Sequence, residues 1–105
     1  MAQFTLYRNL NRSTQRQVPY LLDVQAELLS DLATRVVVPF YAQSILKGNV
    51  LKTLTPLFRI GGKNWLMATP EMAGVSRKVL GPAIADLSSR RAEIIAALDL
   101  LITGI

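Results

Sequence analysis

The spacing of apolar residues changes once along this chain, close to Ser88. Before that point apolar and polar residues alternate with a period of about two, which is typical of strands, and after it the period is about 3.6, which is typical of a helix. Several strands followed by one terminal helix predict an α+β fold, with the helix packed on a mainly antiparallel sheet. The length of 105 residues predicts one domain covering residues 1–105.

The alternation places individual strands in the first part of the chain. Phe4 and Leu6 share one face of the first predicted strand, with polar neighbours between them. The run of β-branched residues before Pro39 predicts a buried strand that the proline ends. The predicted strands cover residues 3–8, Tyr20 to Gln25 and Arg35 to Val38, with a polar loop over 9–19 and a turn that ends near Thr34.

The second part of the chain contains the clearest hairpin signal, a glycine turn between two apolar runs. Strands are predicted over Pro56 to Ile60 and Trp65 to Thr69, joined by Gly61 to Asn64. Residues Ser44 to Leu51 are ambiguous, and a short helical turn is one possibility there. A further strand is predicted around Val75 to Leu80, interrupted by Gly74, Gly81 and Pro82. For the helix, Ser88 is the predicted N-cap and Gly104 the predicted end.

The residue types needed for most catalytic and metal sites are missing. The chain has neither His nor Cys, which removes the commonest general base and the usual zinc and iron ligands. Gly61-Gly62-Lys63 lacks the glycine spacing of a phosphate-binding loop, and Asn64 stands where that motif has Ser or Thr. We therefore expect a protein that is not an enzyme, with no cofactor and no metal.

Charge and hydrophobicity restrict the location and the partners. The N-terminus lacks a signal-peptide pattern, and no apolar stretch reaches the roughly 20 residues of a membrane span, so we expect a cytoplasmic protein without a membrane contact. A formal net charge of +5 fits either a solvated basic surface or an acidic partner, which would be nucleic acid or an acidic protein segment.

The C-terminal helix has two different faces on a helical wheel. Its predicted core stripe consists of Leu87, Ile94, Leu98, Leu101 and Ile105. A flanking face combines apolar and polar side chains, namely Arg91, Ile95, Asp99, Ile102 and Thr103. Because chain ends are usually polar, the apolar end of this chain predicts docking, either within a dimer or on a foreign partner.

Short blocks distributed over nearly the whole chain resemble the CcdB family, the toxins of a bacterial type II toxin–antitoxin system. Their number and order carry the resemblance, since no single block is a catalytic signature. The blocks are Gln3-Phe4 with Tyr7, Asp23-Val24-Gln25, Val38-Pro39, Ile60-Gly61, Trp65 with Met67 and Thr69, Met72-Ala73 with Val75, Ala85 to Ser88 with Arg90, and Gly104-Ile105.

The resemblance implies a fold, a mode of action and partners. It implies a homodimer whose subunits have an SH3-like barrel of the CcdB and MazF type, with one C-terminal helix. It also implies that the toxin binds the DNA gyrase A subunit and traps the topoisomerase on cleaved DNA. A CcdA-like antitoxin with a flexible acidic tail is expected to neutralise the toxin. The toxin is expected to bind operator DNA only together with that antitoxin, and the toxin–antitoxin complex then represses its own operon.

Positions of the family's gyrase contact are carried over by the same resemblance. They are Leu28, Leu29, Arg91, Asp99, Ile102, Thr103, Gly104 and Ile105. The family tail typically has Trp before the glycine and an aromatic residue before that, where this chain has Thr103 and Ile102. Arg91 stands where the family's familiar member has a carboxylate.

Two alternatives stay open from the sequence. An endoribonuclease is one, because messenger-RNA-cleaving toxins share the fold implied by the resemblance; it would need Arg35 or Arg59 to converge with Thr69. The other is a toxin relic that binds antitoxin but no longer binds gyrase, which the missing tail aromatics suggest.

Overall fold

The described part of the chain folds into one curled antiparallel sheet, followed by one α-helix. The computed structural model describes residues 2–45 and 52–104. Within them the strands are β1 (Thr5–Asn9), β2 (Tyr20–Asp23), β3 (Thr34–Ala42), β4 (Leu57–Ile60), β5 (Lys63–Met67), β6 (Ala73–Ser76) and β7 (Leu80–Asp86), and the helix is α1 (Arg91–Thr103). The strand order is β4-β5-β3-β2-β1-β7, with β6 also paired to β3. The curled half-barrel with its C-terminal helix confirms the predicted α+β fold.

The glycine hairpin is confirmed, with a tighter turn than predicted. Gly61 and Gly62 have φ values of 58° and 80°, which residues with a β-carbon rarely adopt and which a two-residue hairpin turn requires. Lys63 and Asn64 therefore belong to β5 and not to the turn. Ser44 to Leu51, the ambiguous segment, falls largely on residues 46–51, which lie outside the described residues.

Pro39 does not end the third strand, so that prediction is wrong. β3 continues through Pro39 to Ala42. On one side of β3 the partner changes at this point, since β6 pairs with Thr34 to Val37 and β5 pairs with Phe40 to Ala42. The missing N–H of Pro39 falls between the two partner strands, where no ladder bond is lost.

The strand predicted around Val75 to Leu80 is also wrong in its bounds. The chain leaves β6 at Ser76, forms a 3-10 turn over Arg77–Val79, and enters β7, which contains Gly81 and Pro82. β7 lies at the edge of the sheet, where a proline is tolerated. A β-carbon at Gly81 would lie 2.9 Å from Leu10 Cδ2 and 3.1 Å from Arg8 O, so glycine allows β1 and β7 to approach.

Two apolar clusters cover the two faces of the sheet. The larger cluster joins the sheet to α1 and includes Phe4, Leu6, Leu22, Val38, Phe40, Phe58, Met67, Leu87, Ile94 and Ala97. The smaller cluster lies on the other face, because its strand residues are the sequence neighbours of those in the larger cluster. It consists of Tyr7, Val18, Leu21, Val37 and Leu80. Val18 comes from the polar 9–19 loop, which Asn9 holds by donating from Nδ2 to Val18 O at 2.8 Å and to Thr14 Oγ1 at 2.9 Å.

Candidate functional site

The helix begins three residues later than its predicted N-cap. Ser88 starts a 3-10 turn that ends at Arg90, and α1 starts at Arg91 without a side-chain cap. Asp86 is the residue that caps this region, because its Oδ1 accepts the Ser88 N–H at 2.9 Å. That backbone hydrogen bond lowers the pKa of Asp86. The side chain that satisfies the first free amide therefore lies two residues before the predicted cap.

Arg90 fixes the base of α1 to the sheet. Its guanidinium lies 4.0 Å from the centroid of the Phe58 ring and donates to Leu57 O at 2.8 Å. It also forms two hydrogen bonds to the carboxylate of Glu93, at 2.7 and 2.6 Å. These bonds raise the pKa of Arg90 and lower that of Glu93. Because the base of the helix is held at both β4 and its own first turn, the helix axis has a defined direction.

The buried stripe of α1 differs from the predicted one at its end. Leu87 and Ile94 are buried as predicted, but Ala97 completes the contact with the sheet. Leu101, predicted as core, is 37% exposed, which corrects that assignment. The packing therefore stops before the last turn, and the final part of the helix is exposed. Ile105, also predicted in this stripe, lies outside the described residues.

The proposed contact residues of α1 are all exposed, but they lie at opposite ends of the helix. Arg91 is at its start, with its guanidinium carbon 5.5 Å from the centroid of the Phe4 ring. Ile102, eleven residues later and about 16 Å along the axis, is 68% exposed. Thr103 Oγ1 donates to Asp99 O at 2.7 Å, so its hydroxyl is used within the helix. Gly104 ends α1 with φ 76°, which confirms the predicted helix end.

Leu28 and Leu29 lie on a short 3-10 turn, Glu27–Leu29, that buries none of its residues. Leu28 is 94% exposed, the most exposed large apolar side chain among the described residues. Phe4 connects this region to the base of α1, because its N–H donates to Asp23 O at 2.6 Å and its carbonyl accepts the Leu87 N–H at 2.8 Å. Phe4 therefore links the end of β2, which precedes the leucine turn, to the residues that precede α1.

Polar residues of the Asp23-Val24-Gln25 block support the leucine turn from inside. Asp23 and Arg35 are fully buried, with Arg35 Nε donating to Asp23 Oδ2 at 2.9 Å and Nη2 2.6 Å from the same oxygen. Asp23 Oδ1 accepts the Gln25 N–H at 3.0 Å, and Gln25 Nε2 donates to Leu29 O at 2.9 Å. A buried chain of contacts thus runs from Arg35 to the exposed leucines.

The same burial removes the arrangement that the endoribonuclease alternative needs. Arg35 and Thr69 are both fully buried, and Arg35 is paired with Asp23. Arg59 is exposed and donates from Nη1 to Asn64 Oδ1 at 3.3 Å. These three residues do not form an accessible cleft. Among the described residues no cluster of three or more carboxylates could hold a metal ion.

Tyr41 makes a titratable contact on the opposite face of the sheet. Its hydroxyl donates to Glu71 Oε1 at 2.7 Å, which raises the pKa of Tyr41 from 10.0 to about 12, with burial and the charge of Glu71 adding to the effect. Because the folded pKa is the higher one, this stabilisation is complete below pH 10.0 and is lost as pH rises through about 12.

We expect the free energy of unfolding to fall across that interval, and Tyr41→Phe to remove part of the fall. Urea unfolding at graded pH measures it, with Tyr20→Phe as the control; equal slopes for Tyr41→Phe and the parent would contradict the assignment.

The chain matches one known protein family over nearly its whole length. The family model described as CcdB protein matches residues 3–104. The chain belongs to the CcdB family. Proteins of the CcdB family are toxins of type II toxin–antitoxin systems, and they poison DNA gyrase without enzymatic activity. This CcdB-family chain is accordingly a gyrase-poisoning toxin that catalyses no reaction, which sets the endoribonuclease alternative aside.

In the described ranges, 2–45 and 52–104, no helix is both long enough and apolar enough to cross a membrane.

Gln25, Leu32 and Arg77, which shape the region around Leu28, were not predicted as site residues. Of these three, only Gln25 belongs to a block that resembles the CcdB family, namely Asp23-Val24-Gln25.

Proposed function

We propose that this toxin acts as a homodimer and binds the gyrase A subunit through α1 and the leucine turn. The proposed contact residues are Leu28, Leu29, Arg91, Asp99, Ile102, Thr103, Gly104 and Ile105. The observation that carries the proposal is the almost complete exposure of Leu28 on a hydrogen-bonded turn. Covering a large apolar side chain that is held in solvent lowers the free energy, so a partner that buries Leu28 would be stabilised by it.

Asp99 supports the assignment of the helix end as a contact surface. It is exposed in the last part of α1, where no basic residue compensates the helix dipole, and it forms no ion pair with the described residues. A negative charge near a helix C-terminus costs roughly 0.3–1 kcal/mol. An exposed residue that destabilises its own helix and has no ion pair is well explained by a contact with a partner.

Binding alone is sufficient for the activity that we propose. Contacts at the base and at the tip of α1 extend over about 16 Å, and the second subunit of a dimer presents the same contacts again. A ligand that binds one conformational state of an enzyme better than the others increases the population of that state. Preferential binding to the DNA-cleaved state of gyrase would trap that state, and the toxin needs no reactive group of its own.

Neutralisation by a CcdA-like antitoxin is the second part of the proposal. The net charge of +5 favours an acidic partner segment, and the exposed arginines Arg8, Arg12 and Arg16 concentrate positive charge around the 9–19 loop. Attraction between this positive charge and an acidic antitoxin tail would increase the rate at which toxin and antitoxin associate, and added salt would lower that rate. We propose that the toxin–antitoxin complex, and not the toxin alone, binds operator DNA and represses the operon.

Removing the two leucine side chains tests the gyrase contact. We expect Leu28→Ala with Leu29→Ala to weaken binding to purified gyrase A subunit by roughly tenfold to 100-fold, because apolar anchors are lost from the interface. Stability should change by less than about 1 kcal/mol, since neither side chain is buried in the free toxin. Calorimetric titration of the gyrase A subunit measures the affinity, and gyrase-dependent DNA cleavage measures the poisoning.

Leu10→Ala is the matched control, because Leu10 is also an exposed leucine but lies beside Val79 and Gly81 and not on the leucine turn. It should bind the gyrase A subunit like the parent. If the double variant binds equally well, the leucine turn is not part of the contact. If the parent chain binds an acidic antitoxin peptide but not the gyrase A subunit, the protein is a relic and the proposal is wrong.

A further inference from the structure

The leucine turn is held by hydrogen bonds and not by burial of its own side chains. From residue 26 to residue 34 every side chain is exposed except Ser30, which is half-buried. Leu28, Leu29 and Leu32 are all exposed in this stretch. Local backbone bonds close the turn, with Leu29 N–H donating to Ala26 O at 3.0 Å and Leu32 N–H donating to Leu29 O at 3.2 Å. Segments with few buried apolar contacts open easily, so additional bonds decide how rigid this turn is.

Arg77 supplies such bonds from a distant part of the chain. Its Nη1 donates to Ser30 O at 3.1 Å and to Leu32 O at 3.4 Å, and its backbone N–H donates to Ala33 O at 3.1 Å. Arg77 is itself fixed, because it starts the 3-10 turn directly after β6, and β6 is paired with β3 through Ser76 opposite Thr34. The guanidinium of Arg77 therefore adds side-chain bonds to the backbone bonds that tie the end of the turn to the sheet.

Gln25 holds the same turn from the other end. Its Oε1 accepts the Val36 N–H at 3.0 Å while its Nε2 donates to Leu29 O at 2.9 Å. The side chain of Gln25 thus binds the carbonyl of Leu29, and the side chain of Arg77 binds the carbonyls of Ser30 and Leu32. Both attachments act on the backbone, which leaves the leucine side chains free for a partner.

We propose that Arg77 is a positioning residue for gyrase binding, holding the turn so that its leucines are presented in their binding conformation. This inference rests on the proposed function. Arg77 need not touch gyrase itself, because it contributes through the backbone carbonyls of Ser30 and Leu32. A turn that is already ordered loses less conformational entropy when it binds, and the affinity is correspondingly higher.

The test compares Arg77→Ala with two matched variants. Arg77→Ala should weaken binding to the purified gyrase A subunit about tenfold and accelerate amide hydrogen exchange at Leu29 and Leu32. Arg77→Lys keeps the charge and one of the donors, so part of the affinity should return. Lys78→Ala removes the same charge from the adjacent position, where only the backbone N–H is hydrogen bonded, and should bind like the parent.

A double-mutant cycle separates positioning from a general structural effect. If Arg77 acts through the leucines, Arg77→Ala should have little further effect on gyrase affinity when Leu28 and Leu29 are already Ala. Equal losses in both backgrounds, or parental affinity of Arg77→Ala, would overturn the inference while leaving the proposed function intact. Failure of the parent and of Lys78→Ala to bind the gyrase A subunit would instead overturn the proposed function, and this inference with it.

Discussion

Deletion of Thr103, Gly104 and Ile105 is expected to abolish growth arrest while the protein remains folded. The apolar contacts with the sheet end near Ala97, Leu101 and Ile102 are already exposed, and Thr103 and Gly104 are exposed as well, so these last two residues add little to the core. The hydrogen bonds lost from the described helix end include those from Gly104 N–H to Leu100 O and from Thr103 Oγ1 to Asp99 O, and both are exposed local bonds of the last turn. We expect the free energy of unfolding to change by less than about 1 kcal/mol, and gyrase A affinity to fall roughly 100-fold.

Growth in cells that express the toxin, calorimetric affinity and thermal unfolding measure the three parts of this prediction. Ile102→Ala is the full-length companion, since it removes one exposed apolar side chain and keeps a good helix former in the last turn. It should weaken gyrase binding about tenfold. A truncated protein that folds stably, forms its dimer and still arrests growth would show that the tail is not the binding element.

Local sequence patterns predicted those elements whose conformation is decided by near neighbours. β1, the hairpin of β4 and β5, and the helix end at Gly104 all depend on alternation or on glycine φ angles, which short stretches of sequence contain. Pro39 was misread because its effect depends on where it lies in the sheet. The sequence does not show that two partner strands meet beside it.

The candidate surface shows the same limit more strongly. Apolar residues at the tail predicted docking, and the family resemblance supplied Leu28 and Leu29. The support of the leucine turn could not be predicted, because Arg77 reaches Ser30 across 47 residues and Gln25 reaches Val36 across 11. For Arg35 the sequence contained one signal, its position two residues before Val37, which places both on the same face of β3. That face is buried, and Val37 pairs with Asp23 of the neighbouring strand.

Arg35→Ala is expected to destabilise the protein by about 3–5 kcal/mol, the largest stability effect that we predict. It would leave the carboxylate of Asp23 fully buried without its counter-charge, and an unpaired buried charge is far more costly than the pair. Because small domains have a total stability of about 5–15 kcal/mol, this loss would remove a large part of the free energy that keeps the chain folded. Denaturant unfolding measures it, and Arg59→Ala, an exposed arginine on β4, should change stability by less than about 0.5 kcal/mol.

Replacing both charges separates the ion pair from the space that it fills. Asp23→Leu combined with Arg35→Met should be more stable than Arg35→Ala alone, since two apolar side chains avoid the desolvation penalty that a lone carboxylate pays. If the double variant is as unstable as the single one, the unpaired charge of Asp23 does not explain the loss. The double variant also loses the Asp23 Oδ1 acceptor for the Gln25 N–H, and Gln25 holds Leu29. A stable double variant with weakened gyrase binding would therefore indicate that this buried pair serves the docking surface as well as the fold.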